Sequence, residues 1–280
     1  MKPSIRLFTA GDIDYALAQA SREKWTTSRA WLAGLFEHEP AGCFIAEIGR
    51  HPAGMVTSTC HRETAWIGYL IVEPQHRGRG IGRALMKHTL QYLDGRGFRT
   101  VRLDADPPGV NLYRSLGFTA EGESRRFRLQ AGYEPHSSGA IRLEAEDLQK
   151  VVSFDAPRFG DERSGMIQIL QRDAESAFCL RSGNEISGYI LTHAATTGLH
   201  LGPCVAQDRA TAEDLIHAAL GCRAARSVTL GIPDSNRSGC DLLKSLGFIE
   251  TPPSIRMVYG AAHGGGNPRE VFAIAHGAVG

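Results

Sequence analysis

Residues 73–84 read Glu-Pro-Gln-His-Arg-Gly-Arg-Gly-Ile-Gly-Arg-Ala. Glycine alternates at Gly78, Gly80 and Gly82, and arginine stands at Arg77, Arg79 and Arg83. Glycine lets backbone amides approach a ligand with no Cβ in the way. The segment follows a near-continuous apolar run, residues 65–72, of the kind that forms a strand buried on both faces. After it, Leu85, Met86, Leu90 and Leu93 fall near helical spacing. A helix beginning there adds unpaired N–H groups and the positive end of its dipole. Strand, glycine loop, helix and three arginines together make a pyrophosphate cradle. A solvated basic face is the plainer alternative, and the phasing of the glycines speaks against it.

Two common phosphate sites are excluded. A nucleotide-hydrolysing loop needs Gly-Lys-Ser/Thr, which does not occur. A dinucleotide loop needs G-x-G-x-x-G, and its third glycine falls on Arg83 counted from Gly78 and on Leu85 counted from Gly80. What fits is R-x-x-G-x-G, starting at Arg77, after Val72-Glu73-Pro74. A second reactive group lies downstream. Tyr113 opens a Tyr-x-x-x-Gly-Phe pattern that ends at Phe118. Its phenol is a proton donor, or its ring is core on an amphipathic helix.

These two motifs together resemble the acetyl-CoA site of the GNAT superfamily of N-acetyltransferases. The resemblance implies that amides of the loop from Arg77 to Arg83, Ile81 included, bind the CoA pyrophosphate. It implies that Leu70, Ile71 and Val72 pair with the pantetheine arm, and that a bulge near Gly68 splays two strands to admit it. It places Tyr113 beside the thioester sulfur as general acid, Asn111 and Arg114 along the CoA channel, and an oxyanion donor at the amide of Ile71 or Val72.

The elements that position this chemistry occur twice. Residues 111–118 (Asn-Leu-Tyr-Arg-Ser-Leu-Gly-Phe) return as residues 241–248 (Asp-Leu-Leu-Lys-Ser-Leu-Gly-Phe). A strand, polar turn and strand over residues 42–56 returns over residues 176–190. Two copies of one α/β unit follow: residues 1–130 and 141–280, joined by a turn-rich linker at 131–140. The expected fold is α/β (α+β), two tandem GNAT-like domains, each a mixed, mostly antiparallel sheet flanked by helices. The second copy keeps the pattern and loses the chemistry. Its loop, residues 201–212, has no glycine alternation and one arginine, and Leu243 stands where the first copy has Tyr113. The whole resembles a bacterial tandem type with one active and one degenerate repeat, in which the degenerate copy builds part of the acceptor pocket. The glycine-rich loop at 261–268 is followed by apolar residues 271–275, expected to dock.

Composition bounds the rest. The chain has 280 residues with 31 Lys and Arg against 30 Asp and Glu, so nucleic acid is not an expected partner. No apolar run reaches the roughly 18 residues that span a bilayer, and the N-terminus lacks a signal peptide's apolar stretch. The six cysteines form no CxxC pair and sit mostly among apolar neighbours, as expected of buried thiols in the cytoplasm. The histidines show no ligand spacing, so no metal is expected. A monomer or weak homodimer is expected.

For the acceptor, four residues stand out. Trp25 is a core ring or a wall of a substrate-facing loop. Asp104 ends a strand, as a catalytic carboxylate beside the acceptor, where a carboxylate or an ordered water takes the amine's proton, or as a turn cap. Asp155 is a helix cap or an acidic contact across the domain cleft, and the C-terminal carboxylate of Gly280 joins it if the tail docks. Arg125, Arg126 and Arg128 read as an exposed strand edge. An acidic cleft with one aromatic wall suits a small, polar, cationic amine. Kasugamycin 2′-N-acetyltransferases are of this general type, so the resemblance implies an amino sugar or aminoglycoside antibiotic, with resistance by acetylation. Amino acids and polyamines remain open, as does a non-catalytic acyl-CoA sensor. A protein-lysine or N-terminal acceptor is disfavoured by a second domain over the acceptor side.

Overall fold

Residues 3–130, 133, 136–195, 198–222, 226–261 and 265–280 are described by a computed structural model. Parts of the expected linker (131, 132, 134 and 135) and of the glycine-rich loop (262–264) lie outside them. The first repeat runs β1 Ser4–Leu7, α1 Ile13–Arg22, α2 Arg29–His38, β2 Phe44–Ile48, β3 His51–Cys60, β4 Thr64–Val72, α3 Ile81–Gly95, β5 Thr100–Ala105, α4 Val110–Arg114 and β6 Thr119–Leu129. The second runs β7 Ile141–Arg142, α5 Leu148–Phe159, α6 Ser164–Arg172, β8 Ser176–Ser182, β9 Glu185–Ala195, β10 Gly198–Ala206, α7 Arg209–Gly221, β11 Val228–Pro233, α8 Arg237–Ser245, β12 Ile249–Gly260 and β13 Val271–Ala273.

Local chemistry sets the hairpins. Ile48 pairs with His51 across a two-residue turn whose residues, Gly49 and Arg50, both have positive φ (59° and 71°). That is the hand of turn a twisted antiparallel pair favours. The corresponding hairpin, β8–β9, closes at Gly183, also at positive φ.

All the strands join one sheet, ordered β1-β2-β3-β4-β5-β12-β6-β11-β10-β9-β8-β7, with β13 paired to β10. Among the described residues only β4–β5 and β10–β11 are parallel. The last strand of each repeat has crossed over. β12 pairs with β5 of the first repeat, and β6 pairs with β11 of the second. The sequence boundary therefore separates the repeats without separating their sheets. It also overturns the edge reading of Arg125, Arg126 and Arg128: β6 has β12 on one side and β11 on the other, so these charges guard no open edge.

Three cores hold the layers. Leu85, Met86 and Leu93 of α3 pack under the first half of the sheet, and Leu215, Ile216 and Leu220 of α7 under the second. A third core is common to both repeats. It joins Leu32 and Leu35 of α2 to Met166, Ile167 and Leu170 of α6, and it includes Tyr69, Tyr189, Ala275, Ala278 and Val279. The C-terminal tail thus docks as expected, in the core the repeats share. No helix among the described residues is long and apolar enough to cross a membrane.

Candidate active site

The site begins where β4 leaves β5. These strands pair only from Thr64–Thr100 to Trp66–Arg102. Beyond that, β4 carries a bulge: Met55 faces Ile71 while Thr57 faces Gly68. Tyr69, inside the bulge, takes a positive φ of 47°. A bulge bends its strand and re-aims side chains, and here it turns the end of β4 away from its neighbour. The resulting gap opens into a cavity of about 680 Å³.

The glycine loop closes one end of this cavity. Gly78 and Gly80 have φ of 75° and 80°, values that favour glycine. Gly80 is the N-cap of α3 and offers no side chain to it. The first helical bond runs from the Ala84 N–H to the Gly80 carbonyl at 3.0 Å, so the helix leaves the amides of Ile81, Gly82 and Arg83 unused. The Arg77 Nε donates to the Val72 carbonyl at 2.9 Å and its other end bonds Glu23. The Arg83 guanidinium donates to the Ser115 hydroxyl at 2.8 Å. A helix N-terminus with free amides and nearby guanidinium groups suits a pyrophosphate.

Leu70, Ile71, Val72, Arg77, Gly78, Gly80, Ile81, Gly82, Arg83 and Tyr113 all line this cavity. Arg79, Asn111 and Arg114 do not. α4 is five residues long, and it turns Leu112 and Tyr113 inward while Asn111 and Arg114 face solvent. Arg79 is exposed between its two glycines. Tyr113 packs edge-on to Phe118, 5.9 Å between centroids. Burial, with a smaller push from Asp106, raises its phenol above the ordinary tyrosine range, so it stays protonated.

A second cavity, about 350 Å³, adjoins the first. Trp25, Gly68, Tyr69, Asp104 and Asp106 belong to both. Its floor is the exchanged part of the sheet: Ser124, Arg126 and Arg128 of β6, Ser254 of β12 and Thr229 of β11. His200, His276, Gly277 and Ala278 complete it. Sequence reasoning assigned none of these to a pocket and read Arg126 and Arg128 as a strand edge, because they meet only through strand exchange and tail docking. The Trp25 indole donates to Asp106 at 3.0 Å, and Arg126 pairs with the other Asp106 oxygen at 2.7 Å. The Asp104 carboxylate is 2% exposed; Arg256 Nε donates to it at 3.0 Å and the Ser124 hydroxyl at 2.7 Å. His276 stacks on Tyr69 with rings 6° from parallel. Its Nδ1 accepts from the Ala278 N–H, so Nε2 carries the proton and donates to the Thr26 carbonyl at 3.1 Å. Burial holds His276 down at about 4 and His200 at about 3, so both are neutral.

Two expected acceptor contacts lie elsewhere. Asp155 is fully buried within α5, where Arg163 donates to both its oxygens at 2.8 and 2.9 Å and the Tyr189 hydroxyl adds a third bond. A carboxylate so saturated faces no cleft. Gly280 caps the same arrangement: its backbone oxygen accepts from Arg163 at 2.9 Å, and it borders a separate cavity of about 170 Å³ beside Trp66.

The second repeat has the same splay, closed from within. β10 pairs with β11 over two residues and then bulges between Leu201 and Cys204. Into the gap runs β13, paired antiparallel with β10, and the Ile274 N–H donates to the Gly231 carbonyl of β11 at 2.8 Å. At the head of α7, Asp208 accepts from the Thr211 N–H at 2.8 Å, where α3 has a bare glycine. Leu243, the counterpart of Tyr113, is core.

Comparison with known proteins bears on both halves. Residues 12–118 match the model of the acetyltransferase (GNAT) family, and residues 151–273 match an acetyltransferase (GNAT) domain. The chain is 25% identical over 262 residues to the holothin acyltransferase of Pseudoalteromonas sp. (strain SANK 73390), covering 90% of this chain and 88% of that one. It is 25% identical over 216 residues to the uncharacterized N-acetyltransferase YitH of Bacillus subtilis, covering 74% and 71%. Among solved structures, an acetyltransferase candidate from Pyrococcus horikoshii superposes with a TM-score of 0.87 at 24% identity, over 99% of this chain and 96% of that one. A tandem GNAT protein from the clavulanic acid biosynthesis pathway superposes with a TM-score of 0.66 at 14% identity, over 92% and 98%. These two likenesses concern the fold.

Proposed function

The chain belongs to the GNAT superfamily of acetyltransferases, and on that premise we propose that it moves the acetyl group of acetyl-CoA onto the primary amine of a small molecule held in the second cavity. The observation that carries this reading is the junction of the two cavities at Gly68–Tyr69 and Asp104–Asp106. The glycine loop takes the pyrophosphate, the turned-out end of β4 takes the pantetheine arm, and the thioester reaches the junction. An amine from the opposite cavity then meets its carbonyl.

The amine must attack as the free base. Asp104 accepts one bond from Ser124 and two from Arg256, which pairs its charge, Asp106 is tied to Trp25 and Arg126, and His276 uses both ring nitrogens. His200 is too weak a base at about 3. The amine's proton therefore leaves through water, and Asp104, first read as a catalytic carboxylate, positions β5 against β12. Attack forms the C–N bond, and an amide of Ile71 or Val72 receives the oxyanion. The C–S bond then breaks and Tyr113 gives its proton to the departing thiolate. Because all six cysteines are unpaired, the cytoplasm, where acetyl-CoA is made and used, is the compartment that fits.

The acidic cleft that would favour an aminoglycoside is not assembled, since Asp155 and Gly280 face away and Arg256 neutralises Asp104. The test is release of CoA thiol from acetyl-CoA with a panel of primary amines. Amine-dependent release with N-acetyl product supports the reading. Tight CoA binding with no release for any amine supports the sensor instead.

A further inference from the structure

We propose that the acceptor carries an anionic group, carboxylate or phosphate, on the same molecule as its amine, and that Arg128 and Lys24 bind it. This rests on the second cavity being the acceptor site. The cavity and its immediate support hold four cations, Lys24, Arg126, Arg128 and Arg256, against two carboxylates, Asp104 and Asp106. Arg256 is spent on Asp104 and Arg126 on Asp106. Among the described residues, Lys24 and Arg128 have no ion-pair partner. The two histidines of the wall are neutral and bonded to backbone, so they neither add to nor offset this charge.

The usual reason for arginine on a strand does not apply. Charged residues protect open edges, but at Arg128 the strand is paired with Ile249 of β12 and Thr229 of β11. Alternation then puts Ser124, Arg126 and Arg128 on one face, and that face is the cavity floor. Ser124 stands at the junction beside Asp104. At ~3.4 Å per residue, the Arg128 Cα lies roughly 14 Å further along. The amine and the anion therefore sit at opposite ends of an elongated acceptor. A guanidinium presents two parallel N–H groups to a carboxylate or a phosphate, and Lys24 supplies a second charge. A polycation meets repulsion along the same floor.

The experiment compares amines that differ in the anion alone: 6-aminohexanoate against hexylamine, and glucosamine 6-phosphate against glucosamine. Thiol release is followed for the wild type, Arg128→Gln and Lys24→Gln, and acetyl-CoA affinity is measured in parallel. The expected result is a preference of roughly tenfold or more in kcat/KM for the anionic member of at least one pair, carried by KM, as a charged hydrogen bond supplies. Arg128→Gln collapses that preference with acetyl-CoA affinity unchanged. The pair with the larger preference separates carboxylate from phosphate. Indifference to the anion, or a preference that survives Arg128→Gln, overturns the proposal while leaving acetyl transfer itself standing. No release with any of the four amines overturns the acetyl-transfer reading and this proposal with it.

Discussion

Gly68 and Ala278 approach so closely that a Cβ on the glycine would stand 2.4 Å from the Cβ of the alanine. Gly68 lies at the bulge that opens the first repeat, and Ala278 lies in the tail that closes the second. The same tail passes through the gap between β10 and β11, enters the shared core and stacks His276 on Tyr69. One stretch of chain thus fills the gap in the second repeat and lines the cavity that adjoins the first.

Gly68→Ala is expected to destabilise the protein by about 1–3 kcal/mol through overpacking. It is also expected to raise the acceptor KM, because Ala278 belongs to the acceptor wall. Urea unfolding and steady-state kinetics check both. Adding Ala278→Gly should restore part of the loss, since the Ala278 Cα remains 2.9 Å from the new methyl position. An additive double variant would show that the two residues do not constrain one another.

Tyr113→Phe keeps the ring between Gly109 and Phe118 and removes the proton. Turnover should fall by about 10²–10⁴-fold, the usual scale for a lost general acid, with little change in acetyl-CoA affinity. Because the phenol is held above its ordinary range, the wild type should show no loss of activity from its ionisation below about pH 10. Single-turnover kinetics of Tyr113→Phe equal to the wild type would remove Tyr113 from the mechanism.

The buried His276 predicts a pH dependence of stability. Its value is pushed down to about 4 in the folded protein, from about 6.5 when unfolded. The unfolded chain therefore takes up a proton that the folded chain refuses. Its contribution is fully present above about pH 6.5, is lost at roughly 1.4 kcal/mol per pH unit as pH falls toward 4, and then levels off. His276→Gln should flatten this slope between pH 6.5 and 4 in urea titrations. His200 and His61, both held near 3 by burial, should leave a residual slope of the same sign.

The first repeat's cradle was legible in the sequence because its signal is local. Three alternating glycines, a preceding Val-x-Pro and a following amphipathic run lie within a few turns of chain, and Leu70, Ile71, Val72, Arg77, Gly78, Gly80, Ile81, Gly82 and Arg83 line one cavity, while Arg79 does not. The acceptor side was not legible, because its partners come together over long separations. Asp155 is taken by Arg163, eight residues on, and by Tyr189, 34 residues on; no spacing announces a buried pair of that kind. The arginines of β6 read as an edge because nothing local says that β12 and β11 flank them. The tail was expected to dock on apolar content alone, and its course through the second gap depends on a splay made by β10 and β11, strands far earlier in the chain.

The last prediction is that acetyl-CoA binds once per chain. Two features of the first repeat admit it: an open gap beside β4 and a helix N-terminus capped by glycine. The second repeat lacks both, since β13 fills its gap and Asp208 already satisfies an amide at the head of α7. Calorimetry should give one site. Gly80→Val should weaken it about tenfold, because a β-branched residue costs about 1–2 kcal/mol at a φ of 80° and the loop relaxes from the conformation that presents the amides of Ile81, Gly82 and Arg83. Asp208→Gly should create no second site, because removing the cap leaves β13 paired to β10. Two equivalent sites in the wild type, or a second site in Asp208→Gly, would mean that the tail yields to CoA and does not permanently close the second repeat.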